Sequence, residues 1–367
     1  SRIRAALATP DSSGSATIRK QGWKGTPFVF DGTLRDKAGR EDTFNGSFVE
    51  RTLTIDRLSG NADLILIAKD VPQLADDLPD GFGFTRFPDL DARGIRWHPD
   101  KTWHIPSIKV GGDGAAFIVV EKRKIGIAEI AGTMSYEDKT WRIGNVRGKV
   151  FGGDFSIEGN YHQGALRRSS IVANGLKLAE IKRAAGKPVG KETKGVLSLT
   201  YEGSVRLKGR EFDGSGRIRL DDAPVFEVPL LDEVYGLFSA IVPGAKHSGE
   251  GRFDAEFTGR SHILDVKRFV ATGGSLSVTA HGKVDLEKET VEGFARGNLG
   301  GAPGLLTKPI GKLLEMEVSG RLEKIEVKPV GPARSIAEAA SGTAGKIFEK
   351  LEKTGEKIRG KEKNRDE

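Results

Sequence analysis

The sequence predicts a mainly β protein in which an elongated, curled antiparallel sheet forms a groove. Apolar and polar residues alternate in many short segments, as at 154–161, where Phe155, Ile157 and Tyr161 share one parity. A period of two places alternate side chains on opposite faces of a strand. Glycine supplies 49 of 367 residues, nearly twice its usual share of about 7%, which is typical of a chain with many turns and bulges. Segments with a helical period are few.

The alternating segments are separated by glycine, aspartate and asparagine, which are the residues that favour turns. Asp31-Gly32 and Asn45-Gly46 are dipeptides typical of two-residue hairpin loops, and we expect another turn at Gly214-Ser215-Gly216. The clearest strands are expected at 197–207, 253–257, 276–286 and 316–322.

A weak internal repeat combines a short strand, a glycine break and a second strand. Gly111-Gly112, Gly152-Gly153 and Gly273-Gly274 mark the break in three copies. Their spacing is close to one and three units of roughly forty residues, a length found in repeat proteins. Plain hairpin turns explain the glycine pairs equally well.

A few helices complete the predicted fold. Segment 229–242 has apolar residues at spacings of three and four, begins at a proline and is followed by Pro-Gly. Shorter candidates lie at 176–185 and 305–314, and a shallow apolar stripe indicates an amphipathic helix before the charged C-terminal tail. We therefore predict three parts: an N-terminal half of the groove at 1–194, a C-terminal β region at 195–330, and a helix with a tail at 331–367.

Composition narrows the classes of function. The chain has no cysteine, which excludes disulfides and cysteine catalysis, and its net charge of +7 arises from 58 basic and 51 acidic residues spread along the sequence. A diffuse excess of this kind does not indicate nucleic-acid binding, although an anionic membrane surface remains a possible partner. No stretch reaches the roughly 18 apolar residues of a membrane span. Because the chain opens with serine, we expect a processed or truncated piece whose anchor lies upstream.

No residue pattern indicates catalysis, a metal site or a cofactor. His98 and His104 are the only neighbouring histidines, and no third metal ligand accompanies them. Asp89 and Asp91 are the best pair of carboxylates, but aspartate beside glycine and proline usually belongs to turns. Phosphate-binding loops, nucleophile elbows and zinc-protease motifs are missing from the sequence. We expect a protein that is not an enzyme.

The apolar faces of so many strands must be buried away from water. A one-sided sheet buries its apolar face against a second sheet, against helices or against a ligand. The predicted helices are too few, so the sheet either closes on itself or forms an apolar trough, which flexible acyl chains would fill. Eight residues are candidates for the lining of that trough: Phe155, Ile157, Leu199, Tyr201, Phe253, Phe257, Leu276 and Val278.

Several segments carry a family resemblance. The segments "LTIDRLSGNADLIL" at 53–66 and "WRIGNVRGKVFGGDFSIEG" at 141–159 are similar to repeat units of the AsmA-like family, the AsmA/TamB/YhdP type. Region 214–292 resembles the C-terminal plan of that family: a strand, a "PLL" segment with an amphipathic helix, and a pair of strands after Gly-Gly. Segment 316–330 is similar to its closing strand. The resemblance is good over 195–330 and fainter over 40–195.

The resemblance implies a cell-envelope protein of bacteria with two membranes. It would be anchored in the inner membrane, extend into the periplasm, and take part in lipid transport and outer-membrane assembly. Its partners would be phospholipids or other acyl lipids, the membrane surface and other envelope proteins, and the family supplies no catalytic residues. The alternative is a closed β-structure that acts as an envelope scaffold or assembly factor without lipid.

Overall fold

The structure is a computed structural model, and its description covers 2–8, 12–20, 26–36, 38–61, 81–98, 100, 102–120, 122–190, 193–206, 209–225, 250–274, 276–299, 315–322 and 324–331. The predicted fold class is confirmed: strands make up 78% of the described chain and belong to one curled antiparallel sheet of 21 strands that does not close within these residues. The chain divides into two compact units, Ser1–Ile218 with Gly259–Ser261, and Arg219–Thr258 with His262–Glu367.

The strands of the first unit are β1 Arg2–Ala8, β2 Ser12–Lys20, β3 Phe28–Asp36, β4 Glu41–Val49, β5 Thr52–Gly60, β6 Phe82–Arg86, β7 Asp89–Trp97, β8 Trp103–Gly111, β9 Ala115–Val120, β10 Arg123–Glu137, β11 Thr140–Val150, β12 Gly153–His162, β13 Ala165–Lys177 and β14 Val196–Arg206. The next strand, β15 Glu211–Ala223, crosses the boundary between the units. The second unit contains β16 Gly251–Ser261, except its last three residues, then β17 Ile263–Gly273, β18 Leu276–Asp285, β19 Thr290–Leu299, β20 Glu315–Arg321 and β21 Lys324–Pro329. A single short helix, α1 Leu178–Ala184, occurs among the described residues, close to the helix predicted at 176–185.

Most strands of the first unit pair with their neighbours in sequence, but the long strand β10 has two partners on one side. Its first half pairs with β9 and its second half with β8. The chain between β8 and β9 therefore bends at Gly112, which has φ of +79°, instead of forming a hairpin. By contrast, Gly152 and Gly274 lie in hairpin turns, because Val150 pairs with Gly153 and Gly273 pairs with Leu276.

The strands β10 to β14 bend at bulges that follow one another across the sheet. Register shifts occur between Ile143 and Val146 on β11 and between Leu166 and Ser169 on β13. At each shift one non-glycine residue has positive φ, namely Asn145 at +48° and Arg168 at +49°. Gly132 lies opposite the first bulge, where a Cβ would come 2.7 Å from the Cα of Val146. Bulges increase the twist and bend of a strand, which is how this part of the sheet curls.

Side chains from β5, β7, β8, β9 and β10 meet on one face of the curled sheet and exclude water. We call this set the sealed cluster: Leu58, Ala92, Ile95, Ile105, Ile108, Val110, Ala116, Ile130 and Tyr136. Each of these side chains is less than 10% exposed. Burial of this extent stabilises the fold by roughly 1.5–3 kcal/mol for each large apolar side chain.

The second unit repeats the same plan of one apolar and one polar face. Its apolar rows run in register across β17, β18, β19 and β20, as in Phe269, Ala280, Ala295 and Met316. Val278, Ala295 and Met316 are each no more than 3% exposed. Gly282 lies directly opposite Gly293, where the two Cα atoms leave no room for a side chain.

Three sequence predictions about turns are wrong. Asp31-Gly32 and Asn45-Gly46 lie inside β3 and β4, and 214–216 lies inside β15. The expected closing strand at 316–330 is a hairpin of β20 and β21, in which Arg321 pairs with Lys324. The helices predicted at 229–242 and 305–314, and the C-terminal helix and tail after 331, lie outside the described residues.

Candidate functional site

The first unit carries a half-buried apolar surface beside the sealed cluster. On β11 to β14, cross-strand pairs bring aliphatic and aromatic side chains into rows, with Val146 opposite Ile157 and Ile157 opposite Ile171. We call this surface the apolar face, defined by Ile143, Val146, Phe155, Ile157, Ile171 and Leu199. All six side chains are of intermediate exposure, in contrast to the sealed cluster. They therefore leave apolar area in contact with water.

Three of the predicted lining residues belong to the apolar face. Phe155 pairs with Ala173, which pairs with Leu199, and Ile157 lies in the adjacent row. The next residue of that adjacent row, Tyr201, is only 4% exposed. Its hydroxyl donates a hydrogen bond to the carbonyl oxygen of Ser204 over 2.9 Å, and burial raises the pKa of its phenol. Tyr201 is therefore a packed residue at the margin of the apolar face.

The remaining predicted lining residues belong to the second unit. Phe253 stacks on Phe269 with ring centroids 5.5 Å apart. Phe257 is 9% exposed and Val278 is 1% exposed, so both side chains are buried. For Leu276 the structure describes only its backbone register, opposite Gly273 and Leu299.

The opposite face of the first unit is polar, and the sequence reasoning did not single it out. Ser15, Thr33, Thr43 and Ser59 form one row across β2 to β5. The neighbouring row holds Thr17, Asp31, Asn45 and Arg57, and the two rows line a depression of about 400 Å³. Its hydroxyls and charges keep this face hydrated. The sequence does contain a signal for this face, because the polar residues of each alternating segment lie on the same side of the strand.

Of the two carboxylates predicted as a pair on β7, Asp91 forms ion pairs on this polar face. Asp91 accepts hydrogen bonds from Arg93 at 2.9 and 3.3 Å and from Arg57 at 3.1 and 3.4 Å. Hydrogen bonding to Arg93 is the main cause that holds the pKa of Asp91 at about 2, and Arg57 adds to it. Asp89 is exposed beside Gly112. Asp91 thus carries no proton near neutral pH, which makes it unsuitable as a general acid.

The two neighbouring histidines flank a hairpin between β7 and β8. The backbone N–H of His98 donates to the carbonyl oxygen of Thr102 over 3.0 Å, and Trp97 pairs with Trp103. His104 Nδ1 lies 3.5 Å from a carboxylate oxygen of Glu137. Within the part of the chain that the structure describes, no three histidine or acidic side chains converge in a group that would hold a metal ion.

None of the described helices is long and apolar enough to cross a membrane. Comparison with known proteins found no matching family model, no matching curated protein and no matching solved structure.

Proposed function

We propose that this chain is a non-enzymatic cell-envelope protein of the AsmA-like type that binds phospholipid acyl chains on the apolar face. The observation that carries the proposal is the set of half-buried apolar rows on β11 to β14. Apolar side chains that stay partly accessible in adjacent rows support the binding of an apolar ligand. The resemblance supplies the context: a periplasmic position, an inner-membrane anchor outside this chain, and a role in lipid transport and outer-membrane assembly.

Acyl chains match the chemistry of the apolar face better than other ligand classes do. The six side chains that define it offer no hydrogen-bond donor or acceptor. A long hydrocarbon can follow a row of such side chains, and each methylene that leaves water contributes about 0.8 kcal/mol. About ten buried methylenes would thus offset several kcal/mol of the cost of association. Partners of the same chemistry are the membrane surface and other envelope proteins that deliver or receive lipid.

The structure also refines the proposed lining. Phe155, Ile157 and Leu199 would contact the acyl chain, because part of the surface of each residue is still accessible. Tyr201, Phe257 and Val278 would contribute through packing, because little of their surface is accessible.

A closed scaffold without lipid is the second candidate, and the sealed cluster favours it. Ile95 and Ile105 are each 6% exposed, so this part of the sheet already covers its own apolar side chains. If the apolar face were covered in the same way in the cell, the protein would need no lipid.

A pair of adjacent substitutions tests the lipid proposal. Ile157→Glu places a charge on the apolar face, whereas Ser156→Glu places the same charge one residue earlier, on the polar face opposite Arg147. In a titration with an environment-sensitive fluorescent fatty acid, we expect the Ser156→Glu variant to bind like the wild type and the Ile157→Glu variant to lose binding. Circular dichroism and thermal melting verify that both variants are folded. Equal binding by the two folded variants, or no binding by the wild type, contradicts the proposal.

A further inference from the structure

Nearly all the amphipathic aromatic side chains of the described structure gather at one end of the strands in the first unit. The chain has four tryptophans and four tyrosines, of which Trp23 and Tyr235 lie outside the described residues. Of the six others, all but Tyr201 belong to one set, which we call the aromatic row: Trp97, Trp103, Tyr136, Trp141 and Tyr161.

The strand register brings the members of the aromatic row together. Trp97 pairs with Trp103, with ring centroids 6.3 Å apart. Tyr136 pairs with Trp141, with centroids 4.8 Å apart, and Trp141 pairs in turn with Tyr161 on β12. Tyr136 belongs to the sealed cluster, and Trp103 and Trp141 pack against it.

The apolar face begins where the aromatic row ends. On β12, Tyr161 is followed on the same face by Ile157 and Phe155, and on β11 Trp141 is followed by Ile143 and Val146. Side-chain chemistry therefore changes along the strands, from rings with an N–H or O–H group to pure hydrocarbon. Trp and Tyr favour boundaries at which one end of the ring is apolar and the other end meets polar groups.

One member of the row has an unused donor. The indole Nε1 of Trp103 is shielded from water and meets no hydrogen-bond acceptor in the described structure. An unpaired buried donor is unfavourable, because it has given up its hydrogen bonds to water without gaining a partner in the protein. An ester or carboxylate oxygen is an acceptor that would satisfy this donor.

The distance from the aromatic row to Phe155 is of the same order as the length of one acyl chain. Tyr161 and Phe155 are six residues apart on β12, which corresponds to roughly 20 Å of strand. One leaflet of a bilayer holds its acyl chains within about half of the ~30 Å hydrocarbon core. Acyl chains that extend about 15 Å parallel to β11 and β12 would thus start at the aromatic row and pass Ile157 on the way toward Phe155.

We propose that the aromatic row holds the oxygen-bearing end of a bound amphiphile, while its acyl chain follows β11 and β12 toward Phe155. This inference rests on the proposed function and adds a ligand class and an orientation to it. The ligand carries an ester or carboxylate at one end, and plain hydrocarbons fit the same face less well. The alternative hypothesis is that the same side chains insert into the surface of a bilayer.

Tryptophan fluorescence of the wild-type protein tests the orientation of the bound amphiphile. The probes are two stearic acids that carry a nitroxide quencher, one near the carboxyl end and the other near the methyl end. Because Trp97, Trp103 and Trp141 all lie in the aromatic row, we expect the carboxyl-end label to quench wild-type fluorescence more strongly at equal occupancy. A variant with Trp23→Phe keeps only these three tryptophans and should show the same order.

A second reporter at the far end of the apolar face should shift the quenching toward the methyl-end label. In a Phe155→Trp variant that keeps the aromatic row intact, the methyl-end label should quench a larger fraction of the fluorescence than it does in the wild type. If this variant fails to fold, the wild-type comparison still decides the question. Binding with equal quenching, or with the order reversed, overturns the orientation but leaves lipid binding standing. No binding of either probe overturns the proposed function as well, and quenching only by nitroxide lipids in vesicles identifies a membrane-surface role instead.

Discussion

The ring of Phe155 lies against the backbone of Gly148, its register partner on the neighbouring strand β11. A Cβ atom at position 148 would lie 2.9 Å from Cε1 of that ring and 2.8 Å from the carbonyl oxygen of Ala128. The glycine thus makes the space in which a large aromatic side chain can lie flat on the sheet. This pair occurs at the end of the apolar face on which the proposed function depends.

Replacing Gly148 by valine should destabilise the protein by about 1–3 kcal/mol, because the new side chain meets both the ring and a backbone oxygen that cannot move aside. Urea unfolding followed by circular dichroism measures the change. Gly126→Val on β10 is the matched control, because that glycine also lies in a strand but has open space around its Cα. If the two variants unfold at the same urea concentration, the close contact at Gly148 does not affect the stability of the protein.

The sealed cluster and the apolar face should respond differently to an introduced charge. Ile105→Glu buries an unpaired carboxylate among the sealed side chains, so we expect it to abolish folding or to lower the free energy of unfolding severely. Phe155→Glu places the carboxylate on a half-buried surface, and we expect the variant to fold while losing affinity for a fluorescent fatty acid. Loss of folding in both variants would instead support the closed scaffold.

The ion pairs of Asp91 predict a loss of stability in acid. The pKa of Asp91 is about 2 in the folded protein, against a usual value of 3.8. A carboxyl whose pKa is lowered by folding stabilises the protein above its unfolded pKa, and this contribution is lost as the pH falls from about 4 toward 2. Urea midpoints measured across this range should fall less steeply for Asp91→Asn than for the wild type.

Arg93→Gln provides an independent version of the same experiment. It removes the strongest hydrogen-bond donor to Asp91, so the folded pKa of the carboxyl should move back toward 3.8 and the acid dependence should again be shallower. Identical acid profiles in the wild type and both variants would show that this cluster does not contribute to stability.

The sequence alone was sufficient for the fold class, because a period of two identifies strands wherever one face is apolar. It also located α1 and the hairpin glycines at 152–153 and 273–274. The sequence reasoning failed where a glycine inside a strand makes room for atoms of the neighbouring strands. Position 46 lies inside β4 and requires glycine, because a Cβ there would come 2.7 Å from the ring of Phe30 and 2.1 Å from the carbonyl oxygen of Thr54. Only the register reveals that requirement, so an Asn-Gly pair was mistaken for a turn.

The candidate site was predictable only in part: the sequence indicated which residues share a face, but not which of them are buried. Parity placed Phe155, Ile157 and Leu199 on an apolar face, since alternation determines which residues share a side. Parity does not determine how well each side chain is covered, which depends on what packs against it in the folded chain. For that reason Tyr201 and Val278 were chosen as lining, although they are packed. The aromatic row was not predicted, because its members come from five different strands.

The most direct test of the central claim is native mass spectrometry of the protein purified from cells without detergent. We expect the wild-type chain to carry additional mass that solvent extraction identifies as acyl lipid. The Ile157→Glu variant, purified in parallel, should lose this mass, while the Ser156→Glu variant should retain it. A wild-type protein that is free of lipid, and that also fails to take up fatty acid when it is supplied, would contradict the claim that the apolar face of β11 to β14 is a lipid-binding surface.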